Sequence, residues 1–308
     1  DMAKRSQKAD GFLEEAGLPD TVGNMQAALR LLDGETALDT VLELARESQS
    51  EQDVVGQLAS ETADAAVLET AMDHVVPQGV AASEASSEKE TFAERRRDLT
   101  ELTDGLKDVM EAIADGEEDE AALAEYCAGI DHFLENILEK TKQRADITYS
   151  EFQEIRATRG LMRLQQGLRN NRSYAVPIQT ADGVTQMNLT FREDEEQAGK
   201  VQVTIWQPYR ISMEMQISGG SLKGLVLCDD RAGYEKLKQQ AGALQETLEQ
   251  NVCPVKTISY GMDFRAQNDY SAASENDHAV DTKALYQTAK VLVQYISEVV
   301  ATENGGLQ

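Results

Sequence analysis

His132 has potential metal ligands at helical spacing around it. Cys127, Asp131 and Glu135 share its helix at i, i+3 and i, i+4 separations, which can gather ligands on one side. The same helix must commit its apolar face to a core, and the usual metal-site spacings are absent, so no metal site is expected. His74 and His278 have no partner in sequence. Glu117-Glu118-Asp119-Glu120 lacks the alternating oxygen ligands and central Gly of a calcium loop, and reads instead as acids favoured at a helix start. Ser218-Gly219-Gly220-Ser221-Leu222-Lys223-Gly224 resembles a phosphate loop in composition. It lies between two strands rather than opening a helix, so its amides are not aimed at an anion. Neither Gly-x-Ser-x-Gly nor His-Glu-x-x-His occurs. The expectation is therefore a non-enzyme, with no catalytic, cofactor-binding or metal-binding residues. Arg156, Arg159 and Arg163 form a helical stripe followed by Arg169 and Arg172, suited to an acidic partner or to pairing with acid-rich neighbours. Pairing is the favoured reading. Arg95-Arg96-Arg97 reads as a solvated helix turn. Trp206, Pro208 and Tyr209 are the candidate partner-binding residues, because aromatic side chains concentrate at hot spots.

Composition narrows the partner class. The chain has 308 residues and a net charge of −26, with a pI near 4.4. Affinity for phosphates comes from clustered Lys and Arg, so neither nucleic acid nor an anionic membrane is an expected partner. The acidity suits a basic protein partner, and equally keeps the protein in solution. Cys127, Cys228 and Cys253 are widely spaced, which fits a reducing cytoplasm and no disulfide framework. No apolar run approaches the roughly 18–20 residues that span a bilayer, so membrane insertion is not expected. The N-terminus has basic residues without a following apolar core, so it is not read as a secretory signal. Asp1 is not a native start, and residues are expected to be missing before it.

The length suggests more than one unit. Three are expected: a short-helix region over 1–80, a helical bundle over 81–172 and an α+β domain over 173–308. Short helices are expected from Gly11 to Ala16, around Met25, Leu29 and Leu32, and from Thr36 to Arg46 with Leu38, Val41, Leu42 and Ala45 inward. Gln52 to Val76 is a weaker pattern, and Val80 to Lys89 is the best linker candidate. Phe92–Ala114, with Leu99, Leu102, Leu106, Val109, Met110 and Ile113 inward, and Glu118–Lys142 should form a helical hairpin about Asp115-Gly116. Leu123, Tyr126, Ile130, Phe133, Leu134, Ile137 and Leu138 mark the buried face of the second. Thr148-Tyr149-Ser150-Glu151 is a capping box, with Ile147 stapling onto Phe152. The helix it opens runs to about Arg169, with Phe152, Ile155, Met162, Leu164 and Leu168 toward a core.

The remainder reads as a sheet. Asp182-Gly183 signals a hairpin between Tyr174–Thr180 and Val184–Phe191. An acidic loop at Glu193–Gly199 precedes a strand from Lys200 to Trp206. Ile211, Met213, Met215 and Ile217 alternate with polar residues, as an antiparallel strand with one dry face requires. A turn at Ser218–Ser221 leads to Leu225–Cys228. Tyr234, Leu237, Ala241, Leu244 and Leu248 mark one helix, capped by Asp229 or Asp230 and ended by a left-handed Asn251. Val255–Phe264 closes the sheet, and Arg265–Val280 is polar without periodicity. A last helix starts at Asp281 with Leu285, Ala289, Leu292, Val293, Ile296, Val299 and Val300 on one face. That face must dock, either on this chain or by self-association through 281–300. The fold class is α+β: an all-helical N-terminal region, then a mostly antiparallel sheet packed by helices.

Residues from about Val176 to Phe264 resemble the C-terminal domain of flagellar hook-length control proteins. The shared pattern is Val201–Trp206, Pro208, Ile211–Ile217, Leu222–Cys228, then Arg231, Leu237, Leu244 and Leu248 on a helix, and Val255–Met262. Gly17-Leu18-Pro19-Asp20-Thr21 and the helix before the sheet also look like parts of hook-length-control-like proteins of anaerobic Gram-positive bacteria. The resemblance implies a non-enzymatic part of the flagellar type III export apparatus, located in the cytoplasm and itself exported. In that family the N-terminal part reports hook length, and the C-terminal domain contacts the export gate to switch the class of substrate exported. The alternative is a cytoplasmic chaperone or adaptor for secreted proteins.

Overall fold

The computed structural model describes residues 2–46, 105–145, 147–180, 183–194, 198–262 and 281–301. The expected helix at 52–76, the linker at 80–89, Arg95–Arg97, Leu99, Leu102, His74, His278 and the 265–280 segment lie outside them. So does the boundary near residue 80.

The helical half follows its local signals. Helix α1 (Met2–Glu15) begins earlier than the sequence suggested. Helix α2 (Val22–Leu32) is capped by the Thr21 hydroxyl, which accepts from the Asn24 amide. Its buried residues are Ala27, Ala28 and Leu31, while the expected Met25, Leu29 and Leu32 are only partly buried. The helix is rolled so that small side chains face Gly160, where an added Cβ would stand 3.5 Å from that of Ala27. Helices α3 (Ala37–Arg46), α4 (105–115) and α5 (Ala121–Lys142) follow, and α5 buries every residue of its expected stripe. Helix α6 (Tyr149–Leu168) opens with the complete capping box. The Glu151 amide donates to the Thr148 hydroxyl at 3.2 Å, and the Thr148 amide to the Glu151 carboxylate at 2.6 Å. Ile155, Met162, Leu164 and Leu168 are buried as expected, but Phe152 is exposed.

Six strands run in sequence order across one sheet: β1 (Ser173–Thr180), β2 (Gly183–Asp194), β3 (Ala198–Ile205), β4 (Ile211–Ser218), β5 (Ser221–Cys228) and β6 (Val255–Gly261). The acidic loop is shorter than expected, because β2 and β3 extend into it. The ladder pairs Thr180 with Gly183, and the turn residues Ala181 and Asp182 lie outside the described residues. Pro177 is accommodated because β1 is an edge strand, where a missing N–H need not break the ladder. Gly219 and Gly220 take φ of 56° and 69°, the double positive φ of a tight hairpin.

Register explains the dry face. Val176, Met187, Ile205, Ile211 and Cys228 stand opposite one another across five strands, as do Tyr174, Leu189, Val203, Met213 and Val226. These rows are buried beneath α9 (Thr282–Ala301), with Tyr286 stacked on Phe191 at 4.5 Å between ring centroids. The face of 281–300 offered for self-association is thus spent on this chain's own sheet. Lys290 and Lys283 also tie α9 to α4, bonding Glu111 at 2.5 Å and Asp115 at 3.0 Å.

The other face of the sheet is polar yet buried over β1 to β4, with Ser173, Gln186, Asn188, Thr190, Thr204 and Ser212 all inside. Helices α2, α3 and α6 cover it. The buried apolar residues form one continuous cluster from Ala9 to Val300.

Two expectations about the C-terminal segment are corrected. The single helix over 234–248 is two, α7 (Arg231–Gln239) and α8 (Ala241–Asn251), broken at Gln240. Asp230 does cap the start, accepting from the Gly233 amide at 2.9 Å. Asn251 is not a left-handed terminator, since the chain leaves α8 through Val252 at φ −121°. Strand β6 pairs parallel to β5 because α7 and α8 carry the chain back to the end where β5 began.

Candidate functional site

The corner between α2 and α3 builds a sizeable concavity among the described residues. Arg30 lies in the last turn of α2 and Asp33 caps its end; Gly34 then turns the chain at φ 86°. Thr36 starts α3, its hydroxyl accepting from the Asp39 amide at 3.1 Å and donating to the Asp39 carboxylate at 2.6 Å. Facing this corner are the first turns of α6, with Ser150, Glu151 and Glu154, and Gln207 from the β3–β4 connection. Together they enclose a groove of about 680 Å³.

Its electrostatics are one-sided. Asp33, Glu35, Asp39, Glu43, Glu151 and Glu154 line it, against Arg30 as the lining base. Arg30 bridges Glu35 and Glu154, joining α2 to α6. Burial alone would lower the Arg30 pKa, but these two carboxylates hold it above the ordinary value. Arg5 reaches Asp33 at 2.5 Å and Arg144 reaches Glu151 at 3.3 Å. Among the described residues the lining thus carries six carboxylates and one guanidinium, with Arg5 and Arg144 reaching in from outside it, and this described lining is acidic. This carboxylate-rich lining suits the binding of Lys or Arg side chains by charge-assisted hydrogen bonds.

Trp206, Pro208 and Tyr209 do not form a single patch, and of this connection it is Gln207 that lines the groove. Trp206 leaves the sheet one residue after β3 and lies on Gly34, with the Arg210 guanidinium 4.1 Å from the ring centre on the indole. Burial lowers the Arg210 pKa, opposed by Asp229. Tyr209 turns the other way, against Gly233 of α7, and its hydroxyl lies 3.3 Å from Lys236 Nζ. Between them the cis Gln207-Pro208 pair is exposed. Of the three, Pro208 is open to solvent, while Trp206 and Tyr209 are half-buried.

The residues around His132 are dispersed. Cys127 is buried, its thiol pushed up to about 12 by that burial and 3.8 Å from the Ala175 carbonyl. Asp131 takes Arg169 at 2.5 Å and Glu135 takes Arg159 at 2.6 Å, while His132 is exposed beside Asn136. Among the described residues no group of three or more His, Cys, Asp or Glu is placed to hold a metal ion. Of the arginine series, Arg159, Arg169 and Arg172 pair with acids of α5 and its approach, Arg172 meeting Glu120 at 2.6 Å. Arg156 and Arg163 face solvent. Asp119 accepts from the Ala121 amide at 2.8 Å, the helix-start role expected of that acidic run.

No sequence motif marked the groove acids, because Glu35, Asp39, Glu43 and Glu154 are gathered only by the packing of α2 and α3 on α6. No protein-family model matches this sequence, and neither a curated protein nor a solved structure matches it. Among the described residues no helix is long and apolar enough to cross a membrane.

Proposed function

We propose that this chain is a non-enzymatic protein–protein interaction module that receives a basic segment of its partner, and that it acts as a substrate-specificity switch in flagellar type III export. The observation that carries the binding role is the acidic groove between α3 and α6, lined in part by the exposed Gln207. The export role rests on the resemblance of Val176–Phe264 to the hook-length control C-terminal domain. It is supported by the succession β3, Pro208, β4, β5, helix and β6. The switch is favoured over a secretion adaptor because the α9 apolar face is occupied within the chain and offers no surface for clients. In this reading the protein works in the cytoplasm, meeting the cytoplasmic part of an export-gate protein.

The test is retention of that cytoplasmic export-gate fragment by the immobilised full chain. Binding that weakens with salt and with the double substitution E43Q/E154Q is the expected result. Recovery of soluble secreted proteins with no export component would replace the switch with the adaptor.

A further inference from the structure

We propose that one ordered water molecule is a permanent part of the seam between α6 and the sheet, held by the side-chain amide of Gln165. Gln165 is 6% exposed, and among the described residues its Nε2 has no hydrogen-bond partner. It borders a cavity of about 10 Å³ walled by Leu31 and Leu168 on the helix side and by Ser173, Ala175 and Asn188 on the sheet side. That is the volume one water centre occupies and is too small for any larger ligand.

The walls supply the remaining partners. A buried water ordinarily makes about three hydrogen bonds to groups that would otherwise go unmet. Here it accepts from Gln165 Nε2 and has two protons to give. Ser173 Oγ shares a hydrogen bond with Thr190 Oγ1 at 3.0 Å, and a hydroxyl oxygen has capacity for a second. Asn188 Oδ1 accepts from Gln186 Nε2 at 3.0 Å and likewise has a second lone pair. An amide N–H sealed against Leu31 and Leu168 without such a partner would oppose folding. A water at this point joins helix to sheet through the polar side of the sheet.

The test uses the ¹⁵N-labelled full chain. A water-selective nuclear Overhauser experiment should show a cross-peak from water to the Gln165 side-chain amide protons. Oxygen-17 relaxation dispersion should count one fewer long-lived internal water in Q165M than in the parent chain. In S173A the cross-peak should persist, which excludes relay through the Ser173 hydroxyl. A Gln165 amide with no water cross-peak, or a cross-peak abolished by S173A with the water count unchanged in Q165M, would overturn the assignment.

Discussion

Replacing Gly34 with Ala should loosen the junction between helical layer and sheet, by an amount that can be worked out. Gly34 sits at φ 86°, where an L side chain costs about 1–2 kcal/mol. Its new methyl would also fall 2.5 Å from Cδ2 and 3.0 Å from Cζ3 of Trp206, whereas carbon atoms settle at about 3.5–4.0 Å. The indole must retreat by on the order of 1 Å, and such overpacking costs about 1–3 kcal/mol. Trp206 is only half-buried and can move outward, surrendering a contact with Arg210 worth about 0.5–1 kcal/mol. The sum expected for G34A is about 3 kcal/mol, near the low end of the added ranges. Trp206 is the only tryptophan, so urea unfolding followed by its fluorescence and by far-UV circular dichroism reads the site and the fold together. The midpoint should fall and the native emission should shift to the red. In a W206A background the cost of G34A should drop to the backbone part, leaving a coupling of about 1 kcal/mol or more. Strict additivity together with unchanged emission in G34A would refute the packing of Trp206 on Gly34.

Two glycines of α6 should respond in opposite directions. G160A places its methyl at an ordinary 3.5 Å from Ala27 Cβ and should gain about 0.5–1 kcal/mol of helix stability, whereas G167A places one 2.7 Å from Ala16 Cβ, against the end of α1, and should lose about 1–3 kcal/mol. Thermal melts of the pair check this, and equal shifts would contradict the close approach of α1 to α6. Burial, opposed by Arg192 and reinforced by Glu14, raises the Glu15 carboxyl from an ordinary 4.5 to about 7. The folded chain then binds this proton more tightly than the unfolded one, so stability declines as pH rises from 4.5 to 7 and stays reduced above it. E15Q should gain about 1–2 kcal/mol at alkaline pH, allowing for screening of a half-exposed group, and nothing in acid; denaturant titrations at several pH values measure it. Burial raises the thiol pKa of all three free cysteines, but Cys127 and Cys228 are buried whereas Cys253 is half-buried. A thiol reagent should label Cys253 first in the native protein, and C253S should abolish that early phase.

What could be read from the chain alone was local. The Thr148–Glu151 capping box, the α5 stripe from Leu123 to Leu138 and the alternation of Ile211, Met213, Met215 and Ile217 each depend on neighbours within a turn or a strand. Their geometry follows from backbone periodicity, whatever they pack against. The α+β class came from the same signals, since a helical half ending where alternation begins leaves little else to build. Where spacing suited two structures, packing decided. Leu237, Leu244 and Leu248 lie on one stripe whether the helix is whole or broken at Gln240, and all three are buried in the broken form. The direction of β6 depended on the path of α7 and α8, which the residues of Val255–Gly261 do not encode. Helix α2 could bury Leu29 and Leu32 or Ala27 and Ala28, and the close approach of Gly160 selected the small pair.

The candidate site belonged almost wholly to that second kind. Trp206, Pro208 and Tyr209 stood out by type, but the partner of Trp206 is a glycine at position 34, and no local rule joins them. The groove acids are ordinary members of three separate segments until α3 and α6 bring them to one wall. Local hydrogen bonding and side-chain period thus determined which elements exist and which face of most is dry. The acidic groove, the buried polar side of the sheet and the parallel sixth strand were decided only in three dimensions, because each is a contact between residues far apart in sequence, set by volume and charge after the elements had formed.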